Sequence, residues 1–139
     1  MKLVLDASVG LKFVLNEPDA DRARKLQDEF RSGLHEILAP DVFPAEVGHA
    51  LTRAERKKVI PEGQAATLFA DILDPSPILC PSMPLMARAI ELSSQTRTSL
   101  YDCLYLVLTE DHGCELVTAD AKLVTAFQAS GKVIDLNSL

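Results

Sequence analysis

The chain has 139 residues, 47% of them hydrophobic and 24% charged, a composition that supports a buried core and excludes a disordered polymer. Its formal net charge of −6 at pH 7 excludes a nucleic-acid binder that works through an overall basic surface, though not a nucleic-acid enzyme whose acids are gathered at one site. No apolar run approaches the roughly 20 residues of a membrane span, Lys2 alone precedes "LVL", so no signal peptide is expected, and the three cysteines (Cys80, Cys103, Cys114) form no CxxC pair, which suggests reduced thiols in a cytoplasmic protein.

The length predicts one domain over residues 1–139. "KLVLDA" (2–7) reads as a buried strand and "VGLKFVLN" (9–16) as a helix ended near Pro18. A charged helix follows over 19–33 with Ala23, Leu26 and Phe30 facing inward and Gly33 at its end, then a second strand, "EILAP" (36–40). Phe43, Val47, Ala50, Leu51 and Ala54 recur at helical spacing and predict a strong amphipathic helix over 41–58. Pro61 opens another helix over 61–73, and prolines at 75, 77, 81 and 84 leave room only for the short strand "ILC". Helices over 84–97 and 100–112, a strand "ELVT" (115–118), a helix over 121–130 and a last strand near "VIDL" (133–136) complete the chain. Apolar strands separated by helices predict an α/β fold with a central parallel sheet covered on both faces, and such sheets place sites beyond the carboxyl ends of their strands.

Four acids stand out against this frame. Asp6 directly follows "LVL" and Asp120 comes two residues after "LVT", so both fall at the carboxyl edge, where each is equally suited to cap a helix. Asp41, after "LAP", fits a cap and nothing more. Glu46 lies roughly 80° from the centre of its helix's apolar stripe by helical geometry, a position that also suits a solvated edge residue. Asp102 is the sharpest case, because Leu100, Tyr101, Cys103, Leu104, Leu106, Val107 and Leu108 surround it and no Lys, Arg or His stands three or four residues away. A buried carboxylate needs a partner, and the first turn of its own helix offers only partial solvation. Oxygen-only ligands suit Mg²⁺ or Mn²⁺. Zinc spacing, a P-loop, a GxGxxG loop and a histidine placed to activate Ser8 or Ser99 are all absent from the sequence, which leaves metal-assisted hydrolysis as the chemistry.

At these residues the sequence resembles the PIN-domain ribonucleases, in particular the VapC-type toxins of bacterial and archaeal toxin–antitoxin pairs. The matching pieces are "VLDAS" (4–8), "PAEVGHAL" (44–51), "YDCLYLVL" (101–108) and "GCELVTADAKL" (113–123), in the family's order. The resemblance implies a Rossmann-like three-layer α/β/α sandwich. It implies that Asp6, Glu46, Asp102 and Asp120 gather around one or two Mg²⁺ or Mn²⁺ ions, with Ser8 and Thr118 supporting the site. It further implies an endoribonuclease toxin that hydrolyses RNA to a 5′-phosphate and a 3′-hydroxyl, restrained by a cognate antitoxin protein and forming a homodimer. His49 departs from the pattern, standing where the family commonly has asparagine. It could touch a substrate phosphate, hydrogen-bond a metal water or fill space. Substrate grip is expected from Lys12, Arg53 and Lys122, with Arg56, Lys57 and Lys58 close by, although cations at 53–58 also suit a helix C-terminus.

Two other readings compete. One is a catalytically silent domain that binds metal and a partner. The other is a receiver-type phosphorylation module, which would need an acceptor aspartate at the end of its third strand and a lysine after its fifth, where this chain has "CPS" and "VIDLNSL".

Overall fold

The computed structural model describes residues 1–139, Gln128 by its backbone alone. Among these residues, strands β1 (Lys2–Leu5), β2 (Glu36–Pro40), β3 (Ile78–Cys80), β4 (Glu115–Thr118) and β5 (Val133–Asp135) form one parallel sheet in the order β3-β2-β1-β4-β5. They alternate with helices α1 (Ala7–Lys12), α2 (Ala20–Arg31), α3 (Phe43–Arg56), α4 (Ala65–Ile72), α5 (Met86–Thr96), α6 (Leu100–His112) and α7 (Ala121–Phe127).

Central β1 pairs with β2 through Leu3↔Ile37 and with β4 through Val4↔Leu116. A strand flanked on both edges and covered on both faces must be apolar at every position, and Leu3, Val4 and Leu5 are each 0% exposed. Edge strand β3 departs from the expectation of uniform burial, with Ile78 and Leu79 exposed. The chain steps outward from β1 to β2 to β3, then crosses back to β4 and β5. Its direction therefore reverses between β1 and β4, the switch point where open α/β sheets form crevices. In a receiver-type sheet β3 lies beside β1; here it stands at the edge, so that reading fails on topology.

Right-handed crossovers put the helices before the reversal on one face and those after it on the other. Accordingly α1 packs on α2 and α3, and α3 on α4, while α6 lies against α5 and across β1, β2 and β4. Enclosure by the sheet and α5 explains why α6 is buried continuously from Cys103 to Thr109 and carries apolar residues nearly all round.

Strand β2, β3, β4 and helix α6 run as the sequence predicts, and the differences elsewhere have local causes. Asp6 leaves β1 to cap the next helix, so α1 starts at Ala7 and ends at Lys12 instead of spanning 9–16. Helix α4 starts at Ala65, not Pro61, because the Glu55 carboxylate accepts the Gly63 and Ala65 N–H groups (2.6 and 3.2 Å) and Gly63 adopts φ +85°. Asp41 does not cap α3; its carboxylate accepts the Ser82 N–H at 3.2 Å and the Ser82 hydroxyl, tying the end of β2 to the segment after β3.

Helix α1 crosses α3 closely enough that Gly10 has no room for a side chain. A Cβ there would lie 2.9 Å from Cζ of the fully buried Phe43 and 3.6 Å from Ile72 Cγ2. Gly10→Ala should thus lower stability by about 1–2 kcal/mol, overpacking outweighing the gain in helix propensity. Denaturant unfolding checks this, and the loss should shrink in a Phe43→Leu background, where the opposing ring is gone.

Candidate active site

Asp6 joins the expected cap and the expected site residue in one side chain. It ends β1, caps α1 by accepting the Val9 N–H at 3.3 Å, and is only 5% exposed. The Ser8 hydroxyl donates to its Oδ1 at 2.5 Å and the Thr118 hydroxyl donates to its Oδ2. Those hydroxyls in turn accept backbone N–H groups, Ser8 from Ala119 and Thr118 from Asp120, each at 3.0 Å. Strand ends β1 and β4 are thus stitched together at the switch point. Burial pushes the Asp6 carboxyl up from 3.8 to about 6, against the lowering effect of its three donors and with the Asp102 charge adding to the rise.

Asp102 lies in the first turn of α6, whose cap is Ser99; the Ser99 hydroxyl accepts the Asp102 N–H at 3.1 Å. Desolvation raises its pKa, the Asp120 charge raises it further, and the Ser99 hydrogen bond only partly offsets this. Asp120 is fixed by the Lys122 N–H, which donates to Oδ1 at 2.9 Å. Glu46 enters from the first turn of α3 and accepts the Tyr105 hydroxyl at 2.8 Å on Oε1. Burial raises the Glu46 pKa, the Tyr105 hydrogen bond lowers it, and Asp102 and Asp6 add to the rise. Tyr105, 1% exposed, is itself held firmly protonated by burial and by the glutamate charge beside it.

All four expected acids line one cleft of about 260 Å³, together with Ser8 and Tyr105, and no Lys, Arg or His is among its lining residues. Three of the four have raised pKa values, so they sit in a field of like charge and low solvation without a cation from the protein. Among the described residues, no three Asp, Glu, His or Cys side chains already form a closed ligand set. Separate carboxylate walls around a small cleft suit a cation that keeps much of its own water.

Other expected residues lie outside the cleft. The Lys12 ammonium donates to the Pro18 carbonyl at 2.8 Å and stands 3.8 Å from the Glu17 carboxylate, which commits it to the loop after α1. Arg53 and Lys122 are exposed and do not line the cleft, and His49 lines a neighbouring hollow that shares Glu46. Tyr105 is the residue that sequence reasoning missed. Its signal was available: three residues after Asp102 on a helix it shares that residue's face, and a buried tyrosine needs a partner for its hydroxyl.

The chain is 38% identical to Ribonuclease VapC1 of Mycobacterium tuberculosis over 91 residues, which cover 63% of this chain and 65% of that protein, somewhat less than two thirds of the relative's length. Its fold is similar to that of PAE2754 from Pyrobaculum aerophilum (TM-score 0.72, 19% identity, 99% of this chain and 93% of that one). It is also similar to that of FitAcB from Neisseria gonorrhoeae (TM-score 0.64, 15% identity, 99% of each chain). A PIN domain model matches residues 3–126, a span that takes in both strand ends and all four cleft acids. The chain belongs to the PIN-domain family.

Proposed function

We propose that this protein is a Mg²⁺- or Mn²⁺-dependent endoribonuclease that acts as the toxin of a toxin–antitoxin pair. The observation that carries the reading is the cleft itself: four carboxylates, from α3, α6 and the turns after β1 and β4, line it with no basic side chain among the lining residues. The ribonuclease name of the Mycobacterium relative supports the choice of substrate.

In this reading Asp6, Glu46, Asp102 and Asp120 would surround the ion, Glu46 from the side of its bound water. When bound, a divalent cation supplies a water of lowered pKa and neutralises charge developing on the scissile phosphate. Ser8 and Thr118 keep both oxygens of Asp6 in place, so that this ligand needs no reordering. Tyr105 fixes Glu46 through Oε1 and leaves Oε2 to orient the attacking water and accept its proton. The two hydroxyls that line the cleft, Ser8 and Tyr105, are each committed to orienting a carboxylate, which favours direct hydrolysis by water to a 5′-phosphate and a 3′-hydroxyl. Restraint would come from an antitoxin helix lying in the apolar groove of about 550 Å³ between α3 and α4, lined in part by Pro44, Gly48, Leu51, Ala66 and Phe69.

Cleavage of single-stranded RNA should require Mg²⁺ or Mn²⁺, stop in EDTA, and fall by at least about 100-fold in Asp6→Asn, Glu46→Gln and Asp102→Asn. Tyr105→Phe, which keeps Glu46 but frees its orientation, should lose less. Product analysis on denaturing gels checks this, and full activity in EDTA would overturn the metal site. In cells, expression of the wild type should arrest growth and that of Asp102→Asn should not. Growth unaffected by abundant soluble wild-type protein would remove the toxin reading.

The buried acids also set a pH dependence. Asp6 titrates near 3.8 when unfolded and at about 6 when folded, so the native state binds the extra proton in that interval. Stability from this group is present at low pH and is lost as pH rises through about 6, a change of about 3 kcal/mol. The difference in melting temperature between Asp6→Asn and wild type, both metal-free, should therefore move in the variant's favour from about pH 4 to about pH 7. Added Mg²⁺ should raise the wild-type melting temperature more at the higher pH. Equal shifts at both pH values, read by scanning fluorimetry, would contradict the burial of a charged Asp6.

A further inference from the structure

Beside the carboxylate cleft, and sharing Glu46 with it, lies a hollow of about 520 Å³ lined by Val42, Ala45, Glu46, His49 and Tyr101. It combines aliphatic surface with two exposed rings, Tyr101 being 55% exposed although it stands on α6 next to Asp102. The chain has no tryptophan and only two tyrosines. Tyr105 is buried and engaged with Glu46, whereas the Tyr101 ring is held out of the core and lines the neighbouring hollow.

We propose that this hollow receives one unpaired nucleobase of the RNA strand, stacked on Tyr101 with His49 as a second wall, while the adjoining phosphate lies at the carboxylates. This rests on the ribonuclease reading above and names how that site grips its substrate. A base and its phosphate are joined through a single sugar, so a base subsite has to adjoin the phosphate subsite, and the shared Glu46 meets that condition. The acidic cleft repels a polyanion, so the grip has to come from outside it. Stacking on an aromatic face needs no cation, tolerates any base, and is available only where the base is unpaired. Cations appear farther along the same helix. Positions 46 and 53 fall within about 20° of each other on α3, Arg53 lies about 10 Å beyond Glu46 along the axis, and Lys57 follows at the helix C-cap. Arg53 and Lys57 are both exposed, placed to meet the phosphates of a strand that leaves the hollow along α3.

The test uses Asp102→Asn protein in Mg²⁺ as a non-cleaving background and a fluorophore-labelled single-stranded oligoribonucleotide as the probe. Tyr101→Ala should raise Kd about 10-fold, raise KM by a similar factor in the otherwise wild-type enzyme, and leave kcat and the melting temperature nearly unchanged. Tyr101→Phe, which keeps the ring, should recover most of the affinity. Tyr101→Trp should bind and report the single strand through a change in its own fluorescence, and the same sequence annealed into a duplex should give little change. Wild-type binding and cleavage that survive Tyr101→Ala unaltered would overturn this inference alone, as would a Tyr101→Ala protein that binds RNA normally but loses self-association. A wild type that neither binds nor cleaves the probe would overturn the ribonuclease reading and this one with it.

Discussion

Asp6 is almost entirely removed from solvent, and the groups that hydrogen-bond to it, the Ser8 and Thr118 hydroxyls and the Val9 N–H, are all neutral. Neutral donors orient a carboxylate without cancelling its charge, so the side chain is held in place while its ionisation stays unfavourable. The surrounding architecture follows from that requirement. A parallel sheet whose strand order reverses beside β1 brings the end of β4 next to the end of β1, which is how Thr118 reaches a residue more than a hundred positions earlier. The apolar strands and the buried stretch of α6 from Cys103 to Thr109 supply the burial energy against which this local penalty is set.

The same logic extends to the other acids. Glu46 and Asp102 arrive from helices on opposite faces of the sheet and line one cleft at its carboxyl edge, where the Asp102 charge adds to the rise at Glu46 and the Asp120 charge to the rise at Asp102. Helix N-termini lessen that burden, since Glu46 and Asp102 both sit in first turns. They do not remove it. The site therefore has the character of a strained functional region in a stable frame, with its ordering supplied by hydroxyls: Ser8, Thr118 and Tyr105 each hold a carboxylate without screening it.

Much of this was legible in the sequence because burial leaves a strong pattern. An aspartate immediately after "LVL", another after "LVT" and a third in an otherwise apolar helix have few structural readings, and two of those readings turned out to coexist: Asp6 caps α1 and lines the cleft. Strand order was not legible, since β3 and β4 look alike in a linear string and only pairing decides which lies beside β1. Long-range side-chain contacts escaped for the same reason. Glu55 capping α4 and Asp41 bonding Ser82 depend on distances that periodicity does not encode, and Lys12 looked free for substrate until the loop to Pro18 closed over it.

The interleaved strand order also has a consequence for synthesis. Chains emerge N-terminus first, and β1, β2 and β3 with their helices can associate while the rest is still being made. That partial sheet contains Asp6 and Glu46, yet one flank of β1 is open and Thr118, Asp102 and Asp120 are missing. The cleft closes only when β4 docks along the exposed edge of β1, a long-range pairing that ranks among the slower steps of folding. The cleft is therefore incomplete until the residues up to Asp120 have emerged, and it comes into being in one late event, the docking of β4 beside β1.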